Sequence, residues 1–381
     1  MQYDSLDSSR TQRTLTLGAR LLFELHLDGV LLTALCLTAA IGMAIVYSSS
    51  DGNWSMTVAQ GLKFLLALVA MIVLAQVPPR VIRASAPILF AVGVILLVAV
   101  MIGGDVVKGA RRWLNIGFRF QPSELMKLAV PLFCAWYLHD RPLPPSLGNI
   151  VLLLVAIAVP SLLIARQPDL GTALLVIASG IMVIVLAGLR MRYIVSAIAL
   201  FVGIAVAGTL LDWRFLQPYQ RQRVLTLLDP ASDPLGSGYH IIQSQIALGS
   251  GGAFGKGYLN GTQATLEFLP MRSTDFIFAV IGEEWGLLGL IAILLLYAFI
   301  IGRGLYLAAT SQDTFARLIA GSISLTFAVY VLVNAGMVTG LLPVVGVPLP
   351  LISYGGSSLV TLMAGFGILM AVNARRRLVG R

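Results

Sequence analysis

An acidic residue marks the boundary between a long polar stretch and an apolar run of the sequence. Asp275 lies in Arg272-Ser273-Thr274-Asp275-Phe276, directly before residues that could form a membrane-spanning helix. A carboxylate at such a boundary could act as a general base, which takes a proton from an attacking hydroxyl. Asp is also one of the residue types that cap the N-termini of helices. Spacing alone favours neither a catalytic Asp275 nor a capping one.

Two ionisable residues, Glu124 and Lys127, lie three positions apart at the start of another apolar run. On a helix this spacing places them on one face, where they can neutralise each other as an ion pair. Pairing lowers the cost of holding charges in a membrane, yet ionisable groups within a span are also functional candidates. Glu124 and Lys127 are therefore candidate substrate-binding residues.

The loop before Glu124 is basic. It contains Lys108, Arg111, Arg112 and Arg119. If this loop lies on the outer side of a membrane, the cluster departs from the usual bias of positive residues towards the cytoplasm. An anionic ligand on the outer side would explain that departure.

The other acidic residues near predicted helix starts have two interpretations. Asp169 follows Pro168 at the beginning of an apolar run, and a first-turn acid stabilised by the helix dipole is favoured somewhat over chemistry. Glu283 and Glu284 lie two turns into their run, too deep to cap it. We expect one of these two glutamates to face the protein interior and to contact an Arg or a polar backbone group.

A glycine-rich run, Gly249-Ser250-Gly251-Gly252-Ala253-Phe254-Gly255-Lys256-Gly257, resembles a nucleotide phosphate loop only superficially. Ser250 stands where the first glycine of that motif belongs, and Gly257 stands where a magnesium-binding Ser or Thr belongs. We interpret the run as a flexible turn, although its amides could still meet a lipid-linked phosphate.

The segment at residues 341–350 contains three prolines and is followed by Ser353-Tyr354-Gly355-Gly356. Such a sequence cannot form a continuous helix. Irregular backbone at membrane depth is tolerated only where protein buries it or where it lines a cavity. The segment is therefore predicted to wall a groove.

These candidate residues must be positioned by membrane-spanning helices. The chain is 58% hydrophobic and 11% charged, where a soluble domain carries roughly 25% charged residues. The period-2 alternation of a membrane barrel is absent, which leaves helices to satisfy the backbone in lipid. The sequence thus predicts an all-α integral membrane protein with about ten transmembrane helices. The predicted spans are residues 29–47, 61–77, 86–103, 124–139, 148–165, 169–188, 192–211, 276–302, 316–340 and 354–374.

Ten spans place both termini on one side of the membrane. The segments on that side are rich in arginine, which predicts that both termini are cytoplasmic. The predicted organisation is a cytoplasmic segment at residues 1–28, a membrane domain at 29–375 and a cytoplasmic tail at 376–381. An extracytoplasmic loop at about 212–275 separates spans seven and eight, and the first span is an uncleaved anchor. The inner arginines are Arg10, Arg13, Arg20, Arg80, Arg83, Arg141, Arg190, Arg192, Arg303, Arg317, Arg375, Arg376, Arg377 and Arg381.

The composition argues against two classes of site. The net charge of +9 comes from basic residues scattered singly at helix ends, which does not indicate a nucleic-acid surface. Cys36 and Cys134 both lie in apolar runs, and His26, His139 and His240 are dispersed. Neither a disulfide framework nor a metal site is predicted.

Five motifs in consistent order, from about residue 26 to 375, resemble the SEDS family of bacterial shape, elongation, division and sporulation proteins. Residues 342–348 are more similar to the elongation branch of that family than to its division branch. The motifs are Gln121-Pro122-Ser123-Glu124, Gln167-Pro168-Asp169-Leu170-Gly171-Thr172, Asp229-Pro230 through Gly238-Tyr239-His240, Thr274-Asp275-Phe276-Ile277, and Pro348-Leu349-Pro350 with Ser353-Tyr354-Gly355-Gly356-Ser357.

The resemblance implies a peptidoglycan glycosyltransferase of cell elongation and shape maintenance. Such an enzyme polymerises lipid II at the outer face of the cytoplasmic membrane and releases undecaprenyl pyrophosphate. It also implies partnership with a class B penicillin-binding protein and the elongation machinery.

By motif, Asp275 would correspond to the catalytic aspartate of the family, and Glu124, Lys127 and Asp169 to polar positions of its central cavity. Contacts of Arg111, Arg112, Arg119 and Lys127 with the pyrophosphate are an extension of the resemblance. A divalent cation could assist pyrophosphate departure, although no ligand cluster in the sequence marks a site for it.

Two other functions account for part of the same pattern. A transporter that flips lipid-linked precursors would also need many spans, broken helices and a polar cavity. It would not explain cations and a long loop on the outer side alone. A noncatalytic scaffold for the crosslinking partner would be inert in isolation and would tolerate Asp275→Asn.

Overall fold

The computed structural model describes residues 25–107, 110–115, 119–214, 216–234, 236–266, 268–269 and 271–374. Lys108, most of the predicted N-terminal segment and the predicted tail at 376–381 lie outside these residues. The side chain of Arg119 also lies outside the described part of the protein.

Long helices occupy each of the predicted spans. Seven are long and apolar enough to cross a membrane: α1 (Gly29–Ser49), α2 (Trp54–Gln76), α3 (Pro79–Gly103), α5 (Leu147–Arg166), α7 (Met191–Leu210), α11 (Ile277–Ala309) and α12 (Thr314–Val338). Two more apolar helices are shorter, α6 (Leu170–Leu186) and α13 (Ser357–Ala374). Helix α4 (Pro122–His139) carries Glu124 and Lys127 in its first turns. The integral membrane character of the chain rests on the seven long helices, and ten crossings stay a prediction.

A small sheet, which the sequence did not predict, connects α3 to α4. Its strands are β1 (Asp105–Val107), β2 (Ala110–Asn115) and β3 (Arg119–Phe120), paired antiparallel in the order β1-β2-β3. Successive side chains of a strand point to opposite faces. Arg111 and Arg112 are neighbours on β2 and therefore project in opposite directions.

The stretch between α7 and α11 contains helices of its own. They are α8 (Pro218–Leu228), a 3-10 turn (Pro230–Ser232), α9 (Ser237–Ser250) and the short α10 (Thr262–Thr265). Helix α9 packs against α11 and α12, and the buried Ser244 Oγ donates a hydrogen bond to Val338 O at 2.8 Å. The long connection is thereby joined to the helix bundle.

Helix α11 is interrupted at Gly286, whose φ of 67° and ψ of −165° are not helical. The glycine-rich run satisfies the backbone groups that the break frees. Leu287 N donates to Gly252 O at 2.9 Å, and Lys256 N donates to Glu283 O at 2.9 Å. A Cβ on Gly255 would lie 2.1 Å from Glu284 O, so the contact requires glycine there. The run contains the predicted turn at residues 251–254, but its packing against α11 was not predicted, because a sequence pattern does not reveal which backbone groups a turn will meet.

Two buried glutamates reinforce this contact. Glu283 is fully buried and accepts hydrogen bonds from Lys256 Nζ at 2.6 Å, Thr262 Oγ1 at 2.9 Å and Gln263 N at 3.0 Å. Glu284 accepts one from Ser48 Oγ at 2.5 Å. Both carboxylates therefore face the interior. Glu283 attaches the stretch between α7 and α11 to α11, and Glu284 attaches α11 to α1.

Glu283→Gln is expected to destabilise the protein by about 3 kcal/mol, because removing one charge of a buried pair leaves its partner uncompensated. The measurement is the thermal unfolding midpoint of the purified protein in detergent. Asp212→Asn is the matched control, since the side chains of Asp212 and its partner Arg221 are 53% and 37% exposed, and solvent-exposed pairs contribute roughly 0–1 kcal/mol. Equal midpoints for the two variants would contradict a structural role for Glu283.

Candidate active site

Asp275 lies two residues before the start of α11 and is not its N-cap residue. The helix begins at Ile277, and its N-cap residue is Phe276, whose side chain cannot accept a hydrogen bond from the first-turn amides. Asp275 therefore lies outside the N-cap position of α11. Its side chain is half-buried.

The backbone that carries Asp275 is held by hydrogen bonds to three consecutive carbonyls. Fixed backbone limits the directions in which a side chain can point, and such preorganisation contributes to catalysis when the geometry is productive. The bonds run from Tyr354 N to Ser273 O at 2.8 Å, from Ser353 Oγ to Thr274 O at 2.5 Å, and from Asn334 Nδ2 to Asp275 O at 2.8 Å.

Asn334, on α12, was not identified from the sequence. It is fully buried, and its Nδ2 also donates to Val347 O at 2.8 Å. The Asn334 amide thus joins Asp275 to the proline-rich segment at residues 341–350. The sequence signal that could have identified Asn334 is a polar amide within an apolar span. Burying such a group in a membrane costs free energy unless the group has a hydrogen-bond partner or a function.

Asn334→Leu should reduce the turnover of the protein by roughly tenfold or more, because small misplacement of a reacting group can cost about 10²-fold in rate. The substitution keeps the approximate side-chain size but leaves two carbonyls without their donor. Asn373→Leu is the control, because Asn373 lies at the far end of α13, where its Nδ2 donates to Leu369 O and its Oδ1 accepts from Ser311 Oγ, away from the Asp275 segment. Two quantities are measured for each variant: the maximal rate, kcat, and the substrate concentration at half-maximal rate, KM. A change in KM with an unchanged kcat would contradict the claim that Asn334 positions Asp275.

Three successive residues of the proline-rich segment connect the candidate groups. A Cβ on Gly346 would lie 3.5 Å from Asp275 Oδ2, and the φ of Gly346 is +71°. A Cβ on Gly171 would lie 2.5 Å from Val345 O, so α6 also approaches this segment closely. Val347 packs in one buried cluster with Tyr330 of α12. The predicted groove wall is therefore the common neighbour of α6, α12 and Asp275.

Glu124 and Lys127 form a buried ion pair beneath this wall. Lys127 Nζ lies 2.7 Å from Glu124 Oε1, and the two residues are 6% and 7% exposed. Lys127 Nζ is also 5.2 Å from the centre of the Tyr330 ring. Tyr330 lies one helical turn from Asn334, a rise of about 6 Å. The pair therefore sits about one turn deeper than the Asp275 backbone.

Asp169 both caps a helix and binds other side chains. Its Oδ1 accepts a hydrogen bond from Thr172 N at 3.3 Å at the start of α6. Its Oδ2 accepts one from Gln121 Nε2 at 3.0 Å and lies 3.9 Å from Arg112 Nη1. The favoured interpretation of Asp169 as a residue that stabilises the helix start agrees with this geometry.

The cations of the basic loop separate into two groups. Arg112 donates from Nε to Gln167 O at 3.1 Å and from Nη2 to Pro168 O, which places it at the start of α6. Arg111 is exposed on the other face of β2. The structure thus brings Arg112 to Asp169 but does not bring Arg111 to it. Lys108 and the side chain of Arg119 fall outside the described residues.

A further cation, Arg223 of α8, lies beside Arg112 and was missed in the sequence. Burial lowers the pKa of the Arg223 guanidinium, and repulsion from Arg112 lowers it further, while Tyr219 and Asp169 act in the opposite direction. Its buried Nη1 has no hydrogen-bond partner within the described part of the chain. Local sequence does not indicate this neighbour, because Arg223 is far from Arg112 along the chain.

Comparison with known proteins places this arrangement in a family. The family model of FtsW, RodA and SpoVE, described as cell cycle proteins, matches residues 22–378. The chain belongs to this family. It is 51% identical to the peptidoglycan glycosyltransferase MrdB of Escherichia coli K12, over 94% of this chain and 96% of the relative.

Solved structures of the family agree with the fold. A chain from a peptidoglycan synthase complex that coordinates polymerization and crosslinking matches with a TM-score of 0.79 and 32% identity, over 92% of this chain and 98% of that one. The rod shape determining protein RodA of Thermus thermophilus matches with a TM-score of 0.69 and 28% identity, over 92% and 97% of the two chains.

In this FtsW, RodA and SpoVE family member, residues 345–346 contact both Asp275 and the start of α6, where Arg112 is bound. A carboxylate can accept a proton from a hydroxyl nucleophile, and fixed cations can stabilise the charge of a departing phosphate group. Within the described ranges, no group of three or more His, Cys, Asp and Glu side chains is arranged to hold a metal ion. The chemistry that these side chains can supply by themselves is acid-base and electrostatic.

Proposed function

We propose that the chain is a peptidoglycan glycosyltransferase that polymerises lipid II into glycan strands during cell elongation and shape maintenance. The proposal rests on one observation. Residues 345–347 contact the start of α6, Asp275 and the buried cluster that contains Tyr330. The names of MrdB and RodA among its relatives support the same activity.

In the proposed reaction, the 4-hydroxyl of one lipid-linked disaccharide attacks the anomeric carbon of another. A glycosidic C–O bond forms, and the bond from that carbon to the phosphate oxygen breaks. Asp275 accepts the hydroxyl proton as general base, which contributes roughly 10²–10⁴-fold in rate. The electron pair leaves with undecaprenyl pyrophosphate.

Cations would stabilise this leaving group. Arg112 is proposed as a direct contact, and Arg119 of the same loop as a further one. Arg111, which projects from the opposite face of β2, is proposed to act only at longer range. Lys127, paired with Glu124 deeper in the bundle, is proposed as a further contact of the pyrophosphate. Preorganised charges in a water-poor site are more effective than the same charges in water.

The orientation belongs to the proposal as well. With the termini at 1–28 and 376–381 in the cytoplasm, ten crossings of the domain at 29–375 would bring Asp275, Asp169 and the β-strands to the outer face. The stretch at about 212–275 would then be the extracytoplasmic loop. The arginine distribution of the sequence supports this orientation.

The proposed partners are lipid II, a class B penicillin-binding protein and the elongation machinery. Support for the penicillin-binding protein comes from the related chain in a peptidoglycan synthase complex, which coordinates polymerization with crosslinking. Nucleic acid is not among the proposed partners, and a divalent cation is proposed only as a possible aid to pyrophosphate departure.

The experiment that tests the function uses the purified protein in vesicles with labelled lipid II on the outer leaflet. We expect labelled glycan strands. Movement of labelled lipid between leaflets without strand formation would indicate a flippase. Inert protein that still binds the crosslinking partner would indicate a scaffold, and either result would overturn the proposed activity.

A further inference from the structure

An apolar groove of about 600 Å³ runs along the surface between α5 and α6. Its walls extend from Leu154 to Ala165 on α5, a rise of about 16 Å. Ser161 is the polar residue of the lining, and its hydroxyl is bonded to Ile157 O within its own helix. The groove therefore offers hydrocarbon contact along its length. Its volume is within the range of pockets that hold small organic ligands, about 300–1,000 Å³.

One end of the groove is polar and positive. Ala165 and Leu170 line that end, and the residues between them carry the carbonyls that bind Arg112. The Ala165 carbonyl itself accepts a hydrogen bond from Tyr219 OH at 2.8 Å, which brings α8 over the groove end. Arg223 is four positions after Tyr219 on α8 and therefore lies on the same helix face, which brings a second guanidinium to this end of the groove. Its charge repels that of Arg112.

The second guanidinium is electrostatically unusual. Two like charges in a half-buried setting repel each other, and Asp169 supplies a single carboxylate to this pair. The buried Nη1 of Arg223 donates to no acceptor in the described residues. An anion with several oxygens would accept from this Nη1 and from the remaining N–H groups of Arg112, because phosphate groups accept paired hydrogen bonds from arginine.

The same groove touches the wall of the candidate active site. Val345 lines the groove, and the next residue, Gly346, is the one that approaches Asp275 Oδ2. Consider a ligand whose hydrocarbon chain lies in the groove and whose anionic group lies at the two arginines. The part of this ligand attached to the other side of the anionic group would then lie near Asp275.

We propose that the α5–α6 groove, with Arg112 and Arg223 at its outer end, binds the polyprenyl diphosphate part of the glycosyl donor. The hydrocarbon chain occupies the groove, and the diphosphate lies between the two guanidiniums. The sugar then extends past Val345 towards Asp275. The same site retains the polyprenyl diphosphate product directly after transfer. This inference rests on the proposed glycosyltransferase function and assigns the donor to one side of the site.

Direct binding of undecaprenyl diphosphate to the full-length protein in nanodiscs tests the anionic end. Arg223→Gln should weaken binding about tenfold or more, since charge-assisted bonds to phosphate are among the strong ones. Arg221→Gln is the matched control on the same helix, because Arg221 pairs with Asp212 and not with the groove. Undecaprenol, which lacks phosphate, should bind the wild type and Arg223→Gln equally.

A second pair of variants tests the apolar part. Ala158→Trp fills the groove from an exposed position and should weaken binding of undecaprenyl diphosphate about tenfold. Val159→Trp is the control, because Val159 is exposed at the same depth of α5 but does not line the groove. Unchanged binding for both Ala158→Trp and Arg223→Gln would overturn the inference. It would indicate that membrane phospholipid occupies the groove.

The binding assay separates this inference from the proposed function. Wild-type protein that makes glycan, but whose binding is insensitive to Arg223 and Ala158, contradicts the donor site alone. Protein that makes no glycan, but binds undecaprenyl diphosphate in an Arg223-dependent manner, supports the site and contradicts the polymerase function. Equal unfolding midpoints of each variant and its control establish that the comparison concerns folded protein.

Discussion

Asp275→Asn is expected to lower the rate of glycan synthesis from lipid II by about 10²–10⁴-fold, the contribution typical of a general base. The amide has nearly the same shape as the carboxylate but cannot accept the hydroxyl proton. The hydrogen bonds that hold this segment use the backbone carbonyls of residues 273–275, which the substitution leaves in place. Folding and lipid II binding should therefore be almost unchanged. The measurement is strand synthesis by purified protein at saturating lipid II, with and without the crosslinking partner.

The control for this prediction is Asp140→Asn. Asp140 follows α4 at the end away from Glu124, and its side chain is 92% exposed. It should retain the wild-type rate. Near-normal synthesis by well-folded Asp275→Asn would remove Asp275 from the role of base.

The second large effect concerns the Glu124–Lys127 pair. Lys127→Met should destabilise the protein by roughly 3–5 kcal/mol, the cost of leaving a buried charge without its partner. Glu124 Oε2 already has no hydrogen-bond partner among the described residues, so its carboxylate depends on Lys127. Loss of activity in this single variant would not separate folding from chemistry.

The double variant Glu124→Gln with Lys127→Met makes that separation. Removing both charges should restore most of the thermal stability, because a buried pair replaced as a unit is often nearly neutral. If Lys127 stabilises the leaving diphosphate, strand synthesis stays low despite the recovered stability. Recovery of synthesis together with stability would assign a structural role to the pair.

The long helices were predictable because their signal is local and strong. Apolar runs of about 20 residues have few alternatives to a membrane-spanning helix. The helix that follows Asp275 illustrates this, since the expected start at residue 276 and the observed start at Ile277 differ by one position. Whether Asp275 is the N-cap of α11 could not be predicted in this way, because it depends on the residue at which the folded helix begins.

The parts that the sequence did not predict depend on contacts between distant segments. Asn334 reaches a carbonyl 59 positions away, and its importance comes from that partner and not from its own neighbours. Arg223 becomes notable only when α8 is packed beside Arg112. The interruption of α11 at Gly286 is likewise tolerated because the glycine-rich run supplies the missing hydrogen bonds. Residue type identified the polar candidates, but tertiary packing decided which of them meet.

The most direct test of the central claim is an experimental structure of the Asp275→Asn protein with lipid II bound. The account predicts that the 4-hydroxyl of the acceptor lies within about 3.2 Å of the side chain at position 275, the reach of a general base. The diphosphate of the donor should contact Arg112. A bound donor and acceptor whose reacting hydroxyl lies on the far side of residues 345–347, out of contact with position 275, would contradict it.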